Sequence, residues 1–342
     1  MSESRFWENV WYRGGQWQWP LRPVSAVFSA VARRRRQRLQ RSSVQVSSPV
    51  IVVGNISVGG TGKTPLIIAL VRRLQREGYR PGVVSRGYGG NAPAYPLRVT
   101  PETPVLHSGD EPLTIARATG CAVCVSPDRV AAAQRLCEEG CDLILSDDGL
   151  QHYRLARQLE IAVVDGERVF GNEQCLPAGP LREPVSRLAE VDWVMVNGAP
   201  ERVAERLGDD VKLSSMRVIP VRWQSVADGS HRALNHFEPQ SRVHAVAGIG
   251  HPERFFKTLE ALHLRAEAHP FPDHHDYRPE ELSFGDDEPV VMTDKDAVKC
   301  AVFAEPHWWS LNVEAELDAR FWSDFLERVR RLKKSSDRTV SQ

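Results

Sequence analysis

No stretch of this 342-residue chain stays apolar for the ~20 residues that a bilayer-spanning helix needs. Nor does it open with a secretory signal, because the arginines near the amino terminus follow the apolar stretch instead of preceding it. Cysteine is scarce, six in all, and in a chain of this size that means reduced thiols of a cytosolic protein, not a disulfide framework. Cys121, Cys124, Cys137 and Cys141 do have zinc-like spacing. Yet Cys121 to Val125 alternates like a strand and Cys137 falls in a helical pattern, whereas structural zinc wants paired thiolates on tight turns. Net charge is also missing, 44 basic residues against 44 acidic. There is no internal repeat, and nothing calls for an obligate protein partner. What these absences leave is a chain long enough for a large core, with two domains as the expectation.

The charge balance does not hold locally. From Met1 to Ser48 nine arginines stand against Glu3 and Glu8, a net of about +7, so the remainder is acidic and a broad nucleic-acid-binding face is excluded. Any anionic partner is met at the amino terminus. There Phe6, Trp7, Val10 and Trp11 fall at helical spacing, and Trp17 and Trp19 lead into a second stripe of Val24, Val27, Phe28 and Val31. Arg33 to Arg36 follow directly. Aromatic and small apolar residues on one face, beside a charge run, suit a helix lying in a membrane interface with its arginines at anionic headgroups. The competing reading packs the stripe on the protein's own body. Residues 1–48 are therefore expected to form an amphipathic interface segment that meets anionic lipid.

Beyond it the chain alternates short apolar strands with helical patterns. The run Val50-Ile51-Val52-Val53 precedes Ser57-Val58-Gly59-Gly60-Thr61-Gly62-Lys63-Thr64, and a helical pattern begins at Pro65. A buried strand, a glycine-rich turn and a helix start make an anion site, since backbone N–H groups and the helix dipole both face the phosphates. Lys63 has the reach for the β- and γ-phosphates of ATP, and the Thr64 hydroxyl can hold Mg²⁺. Ser57 stands where the strict pattern has glycine. The layout is α/β, a P-loop NTPase-like doubly wound parallel sheet over residues 49–228, whose ligands bind beyond the carboxyl ends of the strands. The alternation pauses at Asp228-Gly229, a candidate hinge. A smaller α/β domain over 229–334 and a flexible tail over 335–342 complete the expected organisation. A lone Gly248-Ile249-Gly250 after a strand is weak evidence and is assigned no dinucleotide.

Asp147-Asp148 ends an apolar strand some eighty residues after the glycine loop, where a carboxylate binds Mg²⁺ opposite Thr64. Arg86, after the second strand, is a candidate phosphate clamp. Asp110, in Gly109-Asp110-Glu111-Pro112, sits at a helix start, where an aspartate is as often an N-cap as a functional group. In Phe271 to Tyr277 the neighbouring Asp273, His274 and His275 bind metal, orient a base or decorate a polar loop; spacing alone favours the loop.

Taken in order, Gly59 to Pro65, Ser85 to Gly89, Gly109 to Pro112, Asp147 to His152, Pro177 to Glu183, Asp273-His274 and Thr293 to Lys299 resemble the tetraacyldisaccharide 4'-kinase family of lipid A synthesis. The resemblance spans about residues 5–330, and Asp294 departs from it where glutamate is expected. It implies transfer of the ATP γ-phosphate to the 4' hydroxyl of a tetraacylated glucosamine disaccharide 1-phosphate. It also implies a peripheral enzyme on the cytoplasmic face of the inner membrane of a Gram-negative bacterium. By motif position Asp110 is the catalytic base and His274 its orienting partner. The chemistry is compatible, because phosphoryl transfer needs positioning, charge neutralisation and a carboxylate that takes the hydroxyl proton late.

The alternative is a P-loop ATPase switch acting at a membrane surface. Related switches carry a lysine just before the glycine pair, and here that residue is Val58. A GTPase wants Asn-Lys-x-Asp, which Asp294-Lys295-Asp296-Ala297 does not supply. Deleting residues 1–40 is expected to weaken sedimentation with anionic liposomes and to lower turnover of lipid substrate more than ATP hydrolysis. Unchanged partitioning of the truncated chain refutes the interfacial role.

Overall fold

The computed structural model describes residues 7, 10–12, 18–208 and 211–340. Eight strands form the first part of the sheet: β1 (Val50–Gly54), β2 (Pro81–Ser85), β3 (Leu97–Val99), β4 (Ala122–Val125), β5 (Leu143–Asp147), β6 (Leu159–Asp165), β7 (Trp193–Asn197) and β8 (Leu213–Ser225). They lie in the order β3-β4-β2-β5-β1-β6-β7-β8, parallel throughout except for the edge strand β3. The β-branched run of β1 is buried at every position, as a central parallel strand covered on both faces requires. Alternation sends Ile51 and Val53 to one face and Val50 and Val52 to the other. The helices that cover the sheet follow from apolar periodicity. Leu66, Ile67, Leu70, Val71 and Leu74 of α2 (Lys63–Arg76) cover the first face, and Val130, Ala133 and Leu136 of α5 (Arg129–Glu138) cover the second. In the chain α1 (Gln18–Arg41) precedes them, α3 (Val105–Ser108) and α4 (Asp110–Thr119) lie between them, and α6 (Glu201–Leu207) follows β7.

The second part adds β9 (His231–Arg232), β10 (Arg242–Ala247), β11 (Arg265–Pro270), β12 (Val290–Thr293) and β13 (Trp308–Leu317), with α7 (Pro252–Ala261), α8 (Asp294–Cys300) and α9 (Ala319–Val340). The two parts share one continuous 13-stranded sheet. The expected boundary at 228 falls between β8 and β9. Asp228 and Gly229 form a tight turn between β8 and β9, with Gly229 at φ 74° and its N–H donating to Ser225. The crossing lies inside β8, which pairs parallel with β7 through Leu213 to Met216 and antiparallel with β13 through Met216 to Ser225. At the carboxyl end α9 continues past 334 to Val340, and it returns to the first part: Phe321, Phe325 and Val329 join the core that holds Ile51 and Leu66.

At the amino terminus the apolar residues divide. Val10 is buried, Trp7 and Trp11 pack ring against ring at 5.5 Å, and the Trp11 indole donates to the Pro177 carbonyl at 3.0 Å. Val10 and Trp11 thus meet the protein's own body, and Trp7 and Trp11 are half-buried. The second stripe does the opposite. Ser25 anchors α1 through its hydroxyl to Cys175 and Ala178, while Val24, Val27, Phe28 and Val31, spaced as one helix face, are left exposed with Trp19. Arg33, Arg34 and Arg35 are exposed beside them, and Arg36 pairs with Glu190. Phe6 and Trp17 lie outside the described residues. Among the described residues no helix is long and apolar enough to cross a membrane. Cys121, Cys124 and Cys141 are buried free thiols, and burial pushes the Cys124 thiol up to about 11.

The return of α9 can be weighed directly. Phe325 is wholly buried against Trp193 and Phe321, so Phe325→Ala is expected to destabilise the fold by about 3–5 kcal/mol. The urea midpoint should fall with the slope of the transition unchanged; an unshifted midpoint contradicts the docking of α9.

Candidate active site

The glycine loop runs from the buried end of β1 into α2 and takes its shape from two left-handed residues, Gly59 at φ 99° and Gly62 at φ 95°. A side chain at 62 would also meet the Asn197 amide at 2.6 Å, and that amide donates to the Thr61 carbonyl. Only glycine meets both demands. Lys63 and Thr64 open α2 and are both buried, as is Ser57. Val58 is held from outside by the Pro180 carbonyl, and the Arg182 N–H donates to the Ile56 carbonyl. The Pro177 to Glu183 segment thus braces the loop.

Asp147 ends β5, next to β1, and is fully buried. Its Oδ2 accepts from the Ser85 hydroxyl at 3.0 Å, while Oδ1 is buried with no hydrogen-bond partner. Burial, together with the neighbouring carboxylates Glu111 and Asp148, pushes its carboxyl up to about 7. Asp148 adopts a left-handed φ of 45° and turns its carboxylate to Arg182 at 2.7 Å and Lys63 at 3.5 Å. Burial works against its ionisation, but those two cations hold it well below the usual carboxylate range. The buried Asp147 Oδ1, which no donor satisfies, is the kind of hard oxygen a magnesium ion takes, and Asp148 follows it in the chain. Arg86 lies exposed past the carboxyl end of β2.

Asp110 is the first residue of α4, and Gly109 occupies the cap, so the aspartate is not an N-cap. Gly109 takes φ 81°, and a side chain there would strike the Tyr88 carbonyl at 2.3 Å. That approach seats the Ser85 to Gly90 turn against the helix start. The buried Asp110 carboxylate lies 2.9 and 3.1 Å from His274 Nδ1. Burial would raise it, but the His274 hydrogen bond and the Lys295 and Lys299 charges bring it below its ordinary value. His275 turns away to Glu281 at 3.1 Å, so only His274 of the pair reaches Asp110. His274 itself sits at φ 59°, and its ring lies 4.9 Å from Tyr88. A non-glycine residue in that region is strained and is retained where the surroundings over-determine it.

Three residues with no role assigned from sequence complete the cleft. Lys295, two residues into the Thr293 to Lys299 motif, binds Glu111 at 3.1 Å and lies 3.9 Å from Asp273. Against burial, Lys295 and then Lys63 hold the Glu111 carboxylate below its ordinary value. Lys299 lies 2.9 Å from Asp296 and 4.0 Å from Asp110. Gly250, on the Gly-x-Gly turn passed over in the sequence, comes so close to the glycine loop that a Cβ would meet the Gly60 nitrogen at 2.7 Å. The signal for it was the glycine pair after β10, which marks close backbone approach as well as nucleotide binding. Asp294 is a packing residue: it accepts from Asn312 at 2.6 Å, and burial pushes its carboxyl up to about 6. Glu183, next to Arg182, is buried among Tyr153, Gln151 and Arg187.

Residues 17–330 match the family described as LpxK, tetraacyldisaccharide-1-P 4'-kinase. The chain is 47% identical over 336 residues to the tetraacyldisaccharide 4'-kinase of Stutzerimonas stutzeri, covering 97% of this chain and 98% of that one. It is 52% identical over 298 residues to that of Alkalilimnicola ehrlichii, covering 86% and 87%. Among solved structures it is similar to LpxK from Aquifex aeolicus in complex with ATP, with a TM-score of 0.77 over 92% of this chain and 99% of that one. At 24% identity that likeness supports the fold.

The Asp110–His274 contact has a pH signature. Its hydrogen bond to Asp110 raises the His274 imidazole above the ordinary 6.5, against burial and the Lys295 charge. The fold therefore prefers the protonated ring, and the stabilisation is complete below about pH 6.5 and is lost as pH rises through the folded-state value. An NMR titration is expected to give a His274 midpoint above 6.5 that falls in Asp110→Asn. A midpoint indifferent to that substitution rejects the coupling.

Proposed function

The chain belongs to the tetraacyldisaccharide-1-P 4'-kinase family, and from that premise we propose how its residues divide the reaction. It is an ATP-dependent kinase that transfers the γ-phosphate of ATP to the 4' hydroxyl of a tetraacylated glucosamine disaccharide 1-phosphate, a step of lipid A biosynthesis. Gly59 to Thr64 receive the phosphates on backbone N–H groups at the start of α2, with Lys63 at the β- and γ-phosphates and Arg86 reaching in from the end of β2. Thr64, Asp147 and Asp148 would hold Mg²⁺, a reading supported by the buried, unsatisfied Asp147 Oδ1. The ion neutralises charge on the triphosphate.

Asp110 is the base. The acceptor oxygen forms its bond to the γ-phosphorus as the bond to the β–γ bridging oxygen breaks, and the hydroxyl proton passes to the Asp110 carboxylate. A carboxylate held below its ordinary value is a weak base, which suits a loose transition state in which the proton leaves late. His274 positions that carboxylate through its Nδ1, which lies within reach of both oxygens. The observation that carries this reading is the buried aspartate, paired with a histidine from the other part of the sheet, in the cleft the glycine loop lines.

The substrate carries four acyl chains and stays in lipid, so the enzyme goes to the membrane. The exposed face of Trp19, Val24, Val27, Phe28 and Val31 supports α1 as the interfacial element, with Arg33 to Arg35 at anionic headgroups. The enzyme is thus peripheral, on the cytoplasmic face of the inner membrane.

A radiolabelled-ATP assay with the tetraacyl disaccharide acceptor tests the assignment. Wild type should label the lipid, and Lys63→Ala and Asp110→Ala should each lower transfer by about 10²-fold or more. ATP consumption that ignores the acceptor, or an Asp110→Ala variant at wild-type rate, overturns it.

A further inference from the structure

The far edge of the sheet, away from the glycine loop, holds a cluster that phosphoryl transfer does not use. His244 on β10 stands directly opposite Glu267 on the edge strand β11, and His269 lies two residues further along the same strand. Alternation puts Glu267 and His269 on one face, the face His244 shares. His244 Nδ1 is 3.0 Å from His269 Nε2, and Glu267 carboxylate oxygens lie 3.9 and 4.0 Å from those two nitrogens. All three donor atoms fall within 4.8 Å of one another, and among the described residues no other set of three does so.

Two neighbours organise the pair. Asp286 accepts from His244 Nε2 at 3.1 Å and is itself held by the Glu288 N–H at 3.1 Å. With Nε2 carrying the proton, the Nδ1 lone pair of the buried His244 is aimed into the cluster. Phe284 stacks on both imidazoles, 4.1 Å from each ring, and shields that side from water.

We propose that His244, His269 and Glu267 form a binding site for a zinc-type divalent cation, with Asp286 as the carboxylate that orients His244. Two imidazole nitrogens and one carboxylate oxygen are a donor set of zinc and its first-row neighbours, not of magnesium. At metal–nitrogen distances of ~2.0–2.1 Å a tetrahedral ion separates two ligand nitrogens by about 3.3 Å, a few tenths more than the present gap. The exposed Glu267 closes on the ion from the solvent side, and the fourth position is left for water. The ion ties the edge strand β11 to β10, and β11 leads straight into the loop that carries Asp273 and His274. A plain hydrogen bond between the two histidines is the competing account.

Binding of Co²⁺ and Zn²⁺ to chelator-treated full-length protein, in excess Mg²⁺ to occupy the nucleotide-site carboxylates, separates the two. Wild type should take up one magnesium-resistant equivalent with the visible spectrum of tetrahedral cobalt. Glu267→Gln and His269→Ala should bind at least tenfold more weakly, and Asp286→Asn roughly 10–100-fold more weakly. His231→Ala, on the exposed strand β9, should bind as wild type does. Glu267 is exposed, so its substitution tests the site without threatening the fold. Absence of a magnesium-resistant equivalent, or equal uptake by wild type and both ligand variants, overturns the proposal.

Discussion

A buried carboxylate needs a cation or a donor within reach, or it takes up a proton and ceases to be a base. Asp110 meets that requirement with a residue 164 positions away in the chain, and the geometry of the cleft follows from that contact. His274 reaches it only from a left-handed backbone conformation, and the loop carrying it is fixed in turn by its N–H to Gly248. Asp296, at the start of α8, accepts from the Gly248 N–H at 3.1 Å and pairs with Lys299. The lysine that helps hold the Asp110 charge is therefore part of the same framework that positions its histidine.

The two parts of the sheet meet through backbone as much as through side chains. Gly250 lies against Gly60, and Arg168 donates to the Gly250 carbonyl at 3.1 Å. Arg254 and His251 reach back to Asp165 at the end of β6. Beneath these contacts the long ribbon of β8 and β13 carries the sheet from one part to the other without a flexible linker. Any closing motion over ATP and lipid has to bend that ribbon, whose register shifts at Asn312 and Val313.

Much of this was readable residue by residue. The strand, turn and helix around Lys63 announce themselves because each is specified locally, by β-branched residues, by glycines and by apolar periodicity. Asp147 and Asp148 were readable as a strand end, but their unlike fates were not. One is fully buried and pushed up by carboxylate neighbours; the other is drawn down by Lys63 and Arg182. That difference depends on which side chains lie nearby in space. The same holds for the tryptophans: helical spacing marked Trp7 and Trp11 and the Val24 to Val31 stripe alike, and only docking left the first half-buried and the second exposed.

The sequence by itself determined the α/β alternation, the phosphate loop and the ordered motifs that name the family, because these rest on interactions between near neighbours. Only the tertiary structure decided that His274 and not His275 meets Asp110, that Lys295 and Lys299 line the cleft, and that α9 returns to the first core. Each depends on residues far apart in the chain meeting across packed surfaces, and a linear pattern carries no record of such distances.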